Sequence, residues 1–431
     1  MATSDTKRDS APDTAVEAGI GKESAHAGSG GGSTALEVLR MRDFRYLFVA
    51  NILVFMVFQM RNVVQAWLAL ELTDSQAWVG IIAGSPAIAV ILLSLAGGVA
   101  SDRWSKRTIL MWVRGSMAVV NLIVGYLVAI EVISIWHLLA LSMVQGGAVA
   151  FGMPASQTIV HDVVGRKRLL TAISLNQSLA TTGAIIGPAL GGVLLGVAGI
   201  APVYFLIAVI YVPAVAATWR ITTNKRAEPP VKTSAIADLK EAIAFVRSSP
   251  VLRPLIIMNI LGLMAGFIFP IIPIYARDVL DVGELGLGAM MAAMSAGMAA
   301  GALTLALIGE VKRKGWLLFL SLVLGDPAAI AFGFSRDFYL SLSLLFIFGV
   351  SAGLYLSTLS TVFQTHSPDY LRGKIMSIYA LTLQLFPLGW MIGGIAAQTL
   401  GNEMALVLGN GGVILVAWTL FFRSRALREM T

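Results

Sequence analysis

An all-α membrane fold, with twelve spanning helices in two six-helix bundles, is what this sequence predicts. Three observations carry the prediction. Charge is scarce: 13% of residues are charged and 57% are hydrophobic, whereas a soluble domain carries about 25% charged residues. The apolar residues gather in twelve runs separated by short polar turns. At 1.5 Å per residue each run is long enough to cross a hydrocarbon core of about 30 Å. The cations lie between the runs and almost all at one end of the bundle, which is how membrane topology is written in sequence.

Residues 1–38 are rich in Ala, Ser, Gly and Asp and include a Gly-Ser-Gly-Gly-Gly-Ser run at 28–33. A disordered cytoplasmic tail is expected there. It lacks an apolar core of its own, so the first spanning run serves as the insertion signal. The first bundle, 39–220, holds α1 (46–70), α2 (around 78–95), α3 (108–130), α4 (135–155), α5 (170–197) and α6 (203–219). A cytoplasmic linker, 221–252, follows. The break around it, 220–253, contains seven Lys and Arg, Pro229-Pro230 and a stretch, 236–246, in which Ile236, Leu239, Ile243 and Val246 share one face. That pattern predicts a helix lying on the membrane surface. The second bundle, 253–422, holds α7 (255–275), α8 (285–308), α9 (316–334), α10 (338–363), α11 (375–397) and α12 (404–422), and a tail, 423–431, closes the chain.

Orientation follows from charge. One set of turns carries only Arg277 and Arg336 as cations, beside Glu71, Asp74, Glu131, Asp278, Asp281, Glu284, Asp337 and Glu403. The other set carries Arg103/Lys106/Arg107, Arg166/Lys167/Arg168, Lys312/Arg313/Lys314, Arg372/Lys374 and the linker. Positive charge stays inside, so both termini are expected in the cytoplasm of a cell with this protein in its inner, or plasma, membrane. The halves also echo one another. The Gly187-Pro188-x-x-Gly191-Gly192 segment of α5 returns as Gly389-x-x-x-Gly393-Gly394 in α11. Lys106/Arg107 return as Lys312/Arg313, and His161 as His366, at offsets of 202 to 206 residues. Two parallel repeats place a binding site at their interface.

Several functions are excluded by composition. The net charge of +7 and pI near 9.7 would suit nucleic acid, but the cations sit in membrane turns. There is no cysteine, hence no disulfide, thiolate metal site or cysteine nucleophile. The four histidines (His26, His137, His161 and His366) lack metal-ligand spacing. No nucleotide motif, cofactor site or nucleophile–base pair is visible, so neither an enzyme nor an ATP-driven pump is expected.

The most informative turn is the charged stretch after α2. Its pattern is Gly98-x-x-x-Asp102-Arg103-x-x-Lys106-Arg107. Gly97 and Gly98 allow close helix approach, Asp102 suits the positive end of a facing helix, and Lys106 and Arg107 fix the side. This stretch resembles the loop signature of the major facilitator superfamily, with departures at Ala100, where leucine is common, and Ser105, where glycine is usual. In α5, Gly183-x-x-x-Gly187-Pro188-x-x-Gly191-Gly192 is a small-residue seam with a proline kink. It resembles the signature of drug-exporting antiporters of that superfamily. In α4, Gln145-Gly146 is similar to a further motif, but the arginine expected three residues earlier is Ser142, so its role does not carry over. Asp43-Phe44-Arg45 and the segment 152–157 look like the branch of siderophore exporters and macrolide efflux pumps. The resemblance spans about residues 42–422 and implies a secondary transporter working by alternating access. Export of an amphipathic small molecule, driven by a proton or ion gradient, is the expectation. An importer or uniporter of a metabolite on the same fold, or a transport-inactive receptor, are the alternatives. A monomer in the lipid bilayer, with no metal or cofactor, is expected.

The candidate cavity residues start from Arg61, the cation placed most deeply in a span. On a helical wheel Arg61, Gln65, Asn51 and Asn62 form a stripe about 100° wide. Intramembrane charge is costly and marks function by default. Gln59, Gln145, Asn259, Tyr355 and Gln384 are further candidates, and Asp326, beside Pro327 in α9, is the one carboxylate deep in a span and a candidate proton site. Because the chain lacks cysteine, topology is directly testable. Cysteines introduced at Ser105 and Ser234 should react with an impermeant thiol reagent only from the inside, and one at Ser75 only from the outside. Outside reactivity at Ser234 in intact cells would contradict the two-repeat topology.

Overall fold

A computed structural model of the protein describes residues 31–223, 235–309, 311–368 and 370–430. Twelve helices in it are long and apolar enough to cross a membrane, and among the described residues there is no strand. The spans are α1 (Arg42–Thr73), α2 (Gln76–Arg103), α3 (Lys106–Ala129), α4 (Ile135–Val164), α5 (Leu169–Ala198), α6 (Ile200–Trp219), α8 (Gly283–Ile308), α9 (Lys314–Phe334), α10 (Phe338–Thr365) and α12 (Asn402–Arg423). Two spans are interrupted. α7 runs as Leu252–Leu261, then a tighter 3₁₀ stretch, Gly262–Ile268, then short turns to Val279. Pro270 and Pro273 supply no N–H there, and Gly262 and Gly266 weaken the helix before them. α11 breaks at Leu385, between Arg372–Gln384 and Phe386–Leu400, where Pro387 begins a new helix.

The charged stretch after α2 differs from its expected form. The helix continues through Arg103, so the turn is only Trp104 and Ser105. Ser105 caps α3 by accepting the Thr108 N–H at 3.1 Å, the ordinary work of an N-cap serine. Of the glycine pair, Gly97 faces the Ala150 backbone of α4, whereas Gly98 has nothing within 4 Å of an added Cβ. Only Gly97 serves a close approach.

The residues before α1 and α7 also differ from expectation. Residues 1–30 of the expected tail lie outside the described residues, but its end is helical, Gly31–Arg40. Val38 is buried there, and Glu37 pairs with Arg168 at the entry to α5. The amphipathic linker stretch forms the helix Ala235–Ser248. The side chains of Ile236 and Leu239 lie outside the description. Ala242 and Val246 are buried in a cluster with Leu252, Leu255 and Ile375, while Ile243 stays exposed. The helix therefore docks on the second bundle, because its apolar face finds a protein groove there. Glu241 and Lys374, at the entry to α11, add an ion pair at 2.5 Å. The two arrangements are repeat-equivalent: Glu241 lies 204 positions after Glu37, and Lys374 lies 206 after Arg168. A third tie closes the first bundle, where Asp43 accepts from the Thr223 N–H at 2.8 Å and the Thr223 hydroxyl at 2.7 Å.

The halves meet at the end opposite the termini. There α5 packs on α8 and α2 packs on α11 through backbone. A Cβ on Gly192 would stand 2.5 Å from the Gly288 Cα, and one on Gly80 would stand 2.9 Å from the Gly394 Cα. Side chains reinforce the contact. The Ser75 hydroxyl donates to Gln398 Oε1 at 3.0 Å, and Arg277 pairs with Asp74 at 2.7 Å. At the same end Arg336 bonds Glu403 at 2.9 Å, and that carboxylate holds the Arg336 guanidinium above its usual range. The far-end contact predicts a cross-linking result. Ser75→Cys with Gln398→Cys should be joined by a short bifunctional thiol reagent, and adding Gly288→Val should cut the yield severalfold by forcing α5 and α8 apart. An unchanged yield would show that this backbone contact does not hold the halves together.

Candidate functional site

A cavity of about 490 Å³ lies between the halves. Its first wall is α1, which stands at the centre because α5 presents glycine to it. A Cβ on Gly187 would come within 2.6 Å of the Gln59 Cβ, and one on Gly183 within 3.2 Å of the Phe55 Cβ. The α5 seam is thus the packing surface for α1 at Gly183, Gly187 and Gly191, and for α8 at Gly192. From α1 the cavity receives Gln59, Arg61, Asn62 and Gln65, and from α5 Gln177 and Thr181. The second half contributes mostly apolar and sulfur-containing groups, among them Met291, Met294, Met298 and Trp390.

Arg61 is the one charged group on this wall, and it is 7% exposed. Its Nη1 donates to Gln145 Oε1 of α4, and its Nη2 donates to Asn62 Oδ1 at 3.1 Å. The guanidinium also lies over the Phe58 ring, 5.0 Å from its centroid, a favourable cation–π arrangement. Its Nε has no hydrogen-bond partner. Among the described residues no carboxylate pairs with it. One turn further along α1, Gln65 donates to the Ser142 hydroxyl at 2.6 Å, and Ser142 donates to the Leu138 carbonyl at 2.7 Å. Two rungs, Arg61–Gln145 and Gln65–Ser142, therefore join α1 to α4. The site of the missing α4 arginine is occupied by a serine that bonds α1, and the guanidinium in this region comes from α1.

The other candidate residues divide by depth and by half. Asn51 lies in the same wheel stripe as Arg61 but stands ten residues earlier, about 15 Å along the axis, and does not line the cavity. It accepts from Arg114 at 2.7 Å and donates to Asn176 at 2.9 Å. Gln145 sits behind Arg61 as its partner. Asn259 of α7 donates to the Thr382 hydroxyl of α11 at 2.5 Å and is wholly buried. Gln384 approaches the Met153 sulfur at 3.1 Å, bridging α11 and α4. Tyr355 and Asp326 line a different cavity, inside the second half.

At the terminal end, Lys106 pairs with Asp162 of α4 at 2.6 Å, and Arg107 donates to the Trp219 carbonyl at the end of α6. Both contacts stay within the first half. The Asp102 side chain lies outside the described residues. Among the described residues there is no group of three or more His, Cys, Asp or Glu placed to hold a metal.

Two functional-looking groups escaped the sequence reading. Asp162 follows His161 near the end of α4, and no spacing marked it as the Lys106 partner. Arg114, eight residues past the start of α3, is 4% exposed and donates to Thr218 as well as to Asn51. Its depth within an apolar run was the available signal.

The chain is similar to proteins of known activity. Residues 33–431 match the family model described as transmembrane secretion effector. The enterobactin exporter of Citrobacter koseri is 26% identical over 366 residues, covering 81% of this chain and 81% of that protein. The enterobactin exporter of Shigella boydii is 26% identical over 348 residues, covering 78% and 80%. A solved nucleoside transporter, NupG, has the same fold at a TM-score of 0.72 and 14% identity, covering 89% of this chain and 100% of that one. A bacterial homologue of the human lysosomal transporter Spinster, in an inward-facing and unoccupied conformation, matches at 0.71 and 17% identity, covering 90% and 98%.

Because Arg61 and Asp326 line separate cavities and share no hydrogen-bond partner, they should not behave as an ion pair. The effects of Arg61→Ala and Asp326→Asn on thermal stability should add within about 0.5 kcal/mol in a double-mutant cycle. A larger coupling would show that the two charges compensate one another.

Proposed function

The chain belongs to the major facilitator superfamily, in the family described as transmembrane secretion effector, and from that premise we propose that it exports an amphipathic small molecule by alternating access, driven by a proton or ion gradient. The export direction rests on the similarity to proteins named enterobactin exporters. The observation that carries the substrate class is Arg61, a guanidinium at the wall of the central cavity with an unpartnered Nε and, among the described residues, no paired carboxylate. A guanidinium keeps its proton at any relevant pH. In a low-dielectric cavity it attracts anions and repels cations more strongly than in water. A carboxylate or phosphate can pair with its fork in bidentate fashion, while Asn62 and Gln65 offer neutral hydrogen bonds and the methionine wall takes the apolar part.

The positive turns support an orientation with both termini in the cytoplasm, and a monomer in the inner membrane is part of this reading. On that reading the far-end contacts through Gly192, Gly288, Gly80 and Gly394 close the outside, and the cavity is reached from the cytoplasm. Opening outward requires parting these backbones and the Asp74–Arg277 pair. The turn between α2 and α3, with Asp102, Arg103, Lys106 and Arg107, serves as the opposing gate. Substrate binding shifts the balance between the two forms only by its differential affinity for them.

Transport in inside-out vesicles tests the proposal. Under an imposed pH gradient the unmodified protein should accumulate acidic amphiphiles in preference to matched permanent cations. Arg61→Ala should lower that uptake about tenfold or more, since a hydrogen bond to a charged group contributes about 1.5–3 kcal/mol. Arg61→Lys should fall between, keeping charge without the fork. Equal or better export of the permanent cation would refute the anion preference.

A further inference from the structure

The second cavity, about 310 Å³, lies inside the second half, among α7, α9, α10 and α11. It exists because two of those helices are interrupted beside it: the 3₁₀ stretch of α7 contributes Gly262 and Gly266, and the break in α11 contributes Phe386. Most of its wall is apolar, yet three polar atoms on it have no hydrogen-bond partner. They are Asp326 Oδ2, the Tyr355 hydroxyl and the Trp390 Nε1. Asp326 and Tyr355 are 2% and 5% exposed. Buried polar groups are nearly always satisfied, and each exception calls for a reason. One orphan could be a local packing compromise, but three on one cavity form a set: one acceptor, one indole donor and one phenol that serves either way.

This cavity also adjoins the central one. Phe269, Met294, Met298, Leu356 and Trp390 line both. A molecule anchored at Arg61 therefore has a second, mostly apolar space behind a wall of flexible methionines and aromatic rings. We propose that this cavity is a second lobe of the transport site, which takes a ring-sized apolar arm bearing a hydroxyl group. Asp326 accepts the hydroxyl proton, and Tyr355 donates to the hydroxyl oxygen. Trp390 Nε1–H is left for a further acceptor on the arm. This rests on the export reading for the acidic end at Arg61, and it adds that the transported molecule has two arms. A site with buried groups built for a hydroxyl penalises the analogue that lacks it, because those groups are then desolvated and unpaired.

The test uses fragments and linked acids. Purified protein in lipid nanodiscs is titrated calorimetrically with 4-ethylphenol and with 4-ethyltoluene, which differ only in hydroxyl against methyl. A second series joins the same two rings to a terminal carboxylate through alkyl chains of increasing length. The wild-type protein should bind the phenol at least tenfold more tightly than the toluene. Asp326→Leu and Tyr355→Phe should each bring that ratio below threefold without weakening the toluene. Asp326→Leu is expected to fold, since replacing an unpaired buried carboxyl by an apolar group removes a cost. Asp326→Asn, which keeps an acceptor, should retain part of the ratio. In the linked series Arg61→Ala should weaken both acids alike and leave the fragments untouched. A wild-type protein indifferent to the hydroxyl, or a preference that survives Asp326→Leu and Tyr355→Phe, overturns the second lobe. A hydroxyl preference that depends on Asp326, beside linked acids indifferent to Arg61, supports the lobe and overturns the anion reading of the central cavity.

Discussion

A buried guanidinium held by amides and a ring face, with no carboxylate paired to it among the described residues, sets the terms for the central cavity. Removing a charge from water costs several kcal/mol unless hydrogen bonds replace the lost solvent. Here Gln145, Asn62 and the face of Phe58 do the replacing. Gln145 can do so only if α1 and α4 lie side by side, which the parallel Gln65–Ser142 bond supports. These contacts also require α1 to reach the centre of the molecule, and the glycines of α5 allow that. No described carboxylate pairs with the charge, and on the proposed function that leaves it to an anion from outside the protein.

The two halves divide the work unequally. In the first, every span is continuous, and Arg114 bonds Thr218 and Asn51, which in turn bonds Asn176. In the second, α7 and α11 are broken, and three of its orphaned polar atoms, on Asp326, Tyr355 and Trp390, line the cavity beside the breaks. A half with continuous spans, carrying the charge, faces a half with two interrupted spans, carrying methionine, tryptophan and an unpaired carboxyl oxygen. Glycine-to-glycine contacts join the halves at one end. Such contacts rely on van der Waals packing, so they close tightly yet part without stripping side chains from pockets. The short helices before α1 and α7, each tied by a glutamate to the entry of α5 or α11, anchor the opposite ends of the helices that make these contacts.

Much of this was legible in the residues. Hydropathy placed twelve spans, because a bilayer leaves a helix no other way to satisfy its backbone. The wheel of α1 placed Arg61, Asn62 and Gln65 on the cavity side. It failed for Asn51, since a wheel reports angle and not depth. The α5 glycines read as a seam, but which helices they would touch was not in their spacing. Asp326 was visible as a buried acid. That it faces an apolar side cavity, away from Arg61, depends on the interruptions of α7 and α11, and prolines only hint at those. The linker helix read as a membrane-surface element because amphipathicity does not say whether lipid or protein covers the apolar face. The groove it docks in combines neighbours, Leu252 and Leu255, with Ile375, more than a hundred positions away, whose place the spacing of the linker does not reveal.

On the proposed function, one guanidinium without a paired carboxylate among the described residues selects the cargo. The most direct test is the equilibrium affinity of the purified protein for a charge-matched pair, an aryl-alkyl carboxylate and the corresponding aryl-alkyl trimethylammonium. The carboxylate is expected to bind at least tenfold more tightly, and Arg61→Ala to erase the difference. Tighter binding of the trimethylammonium compound, or a carboxylate preference untouched by Arg61→Ala, would contradict that selection.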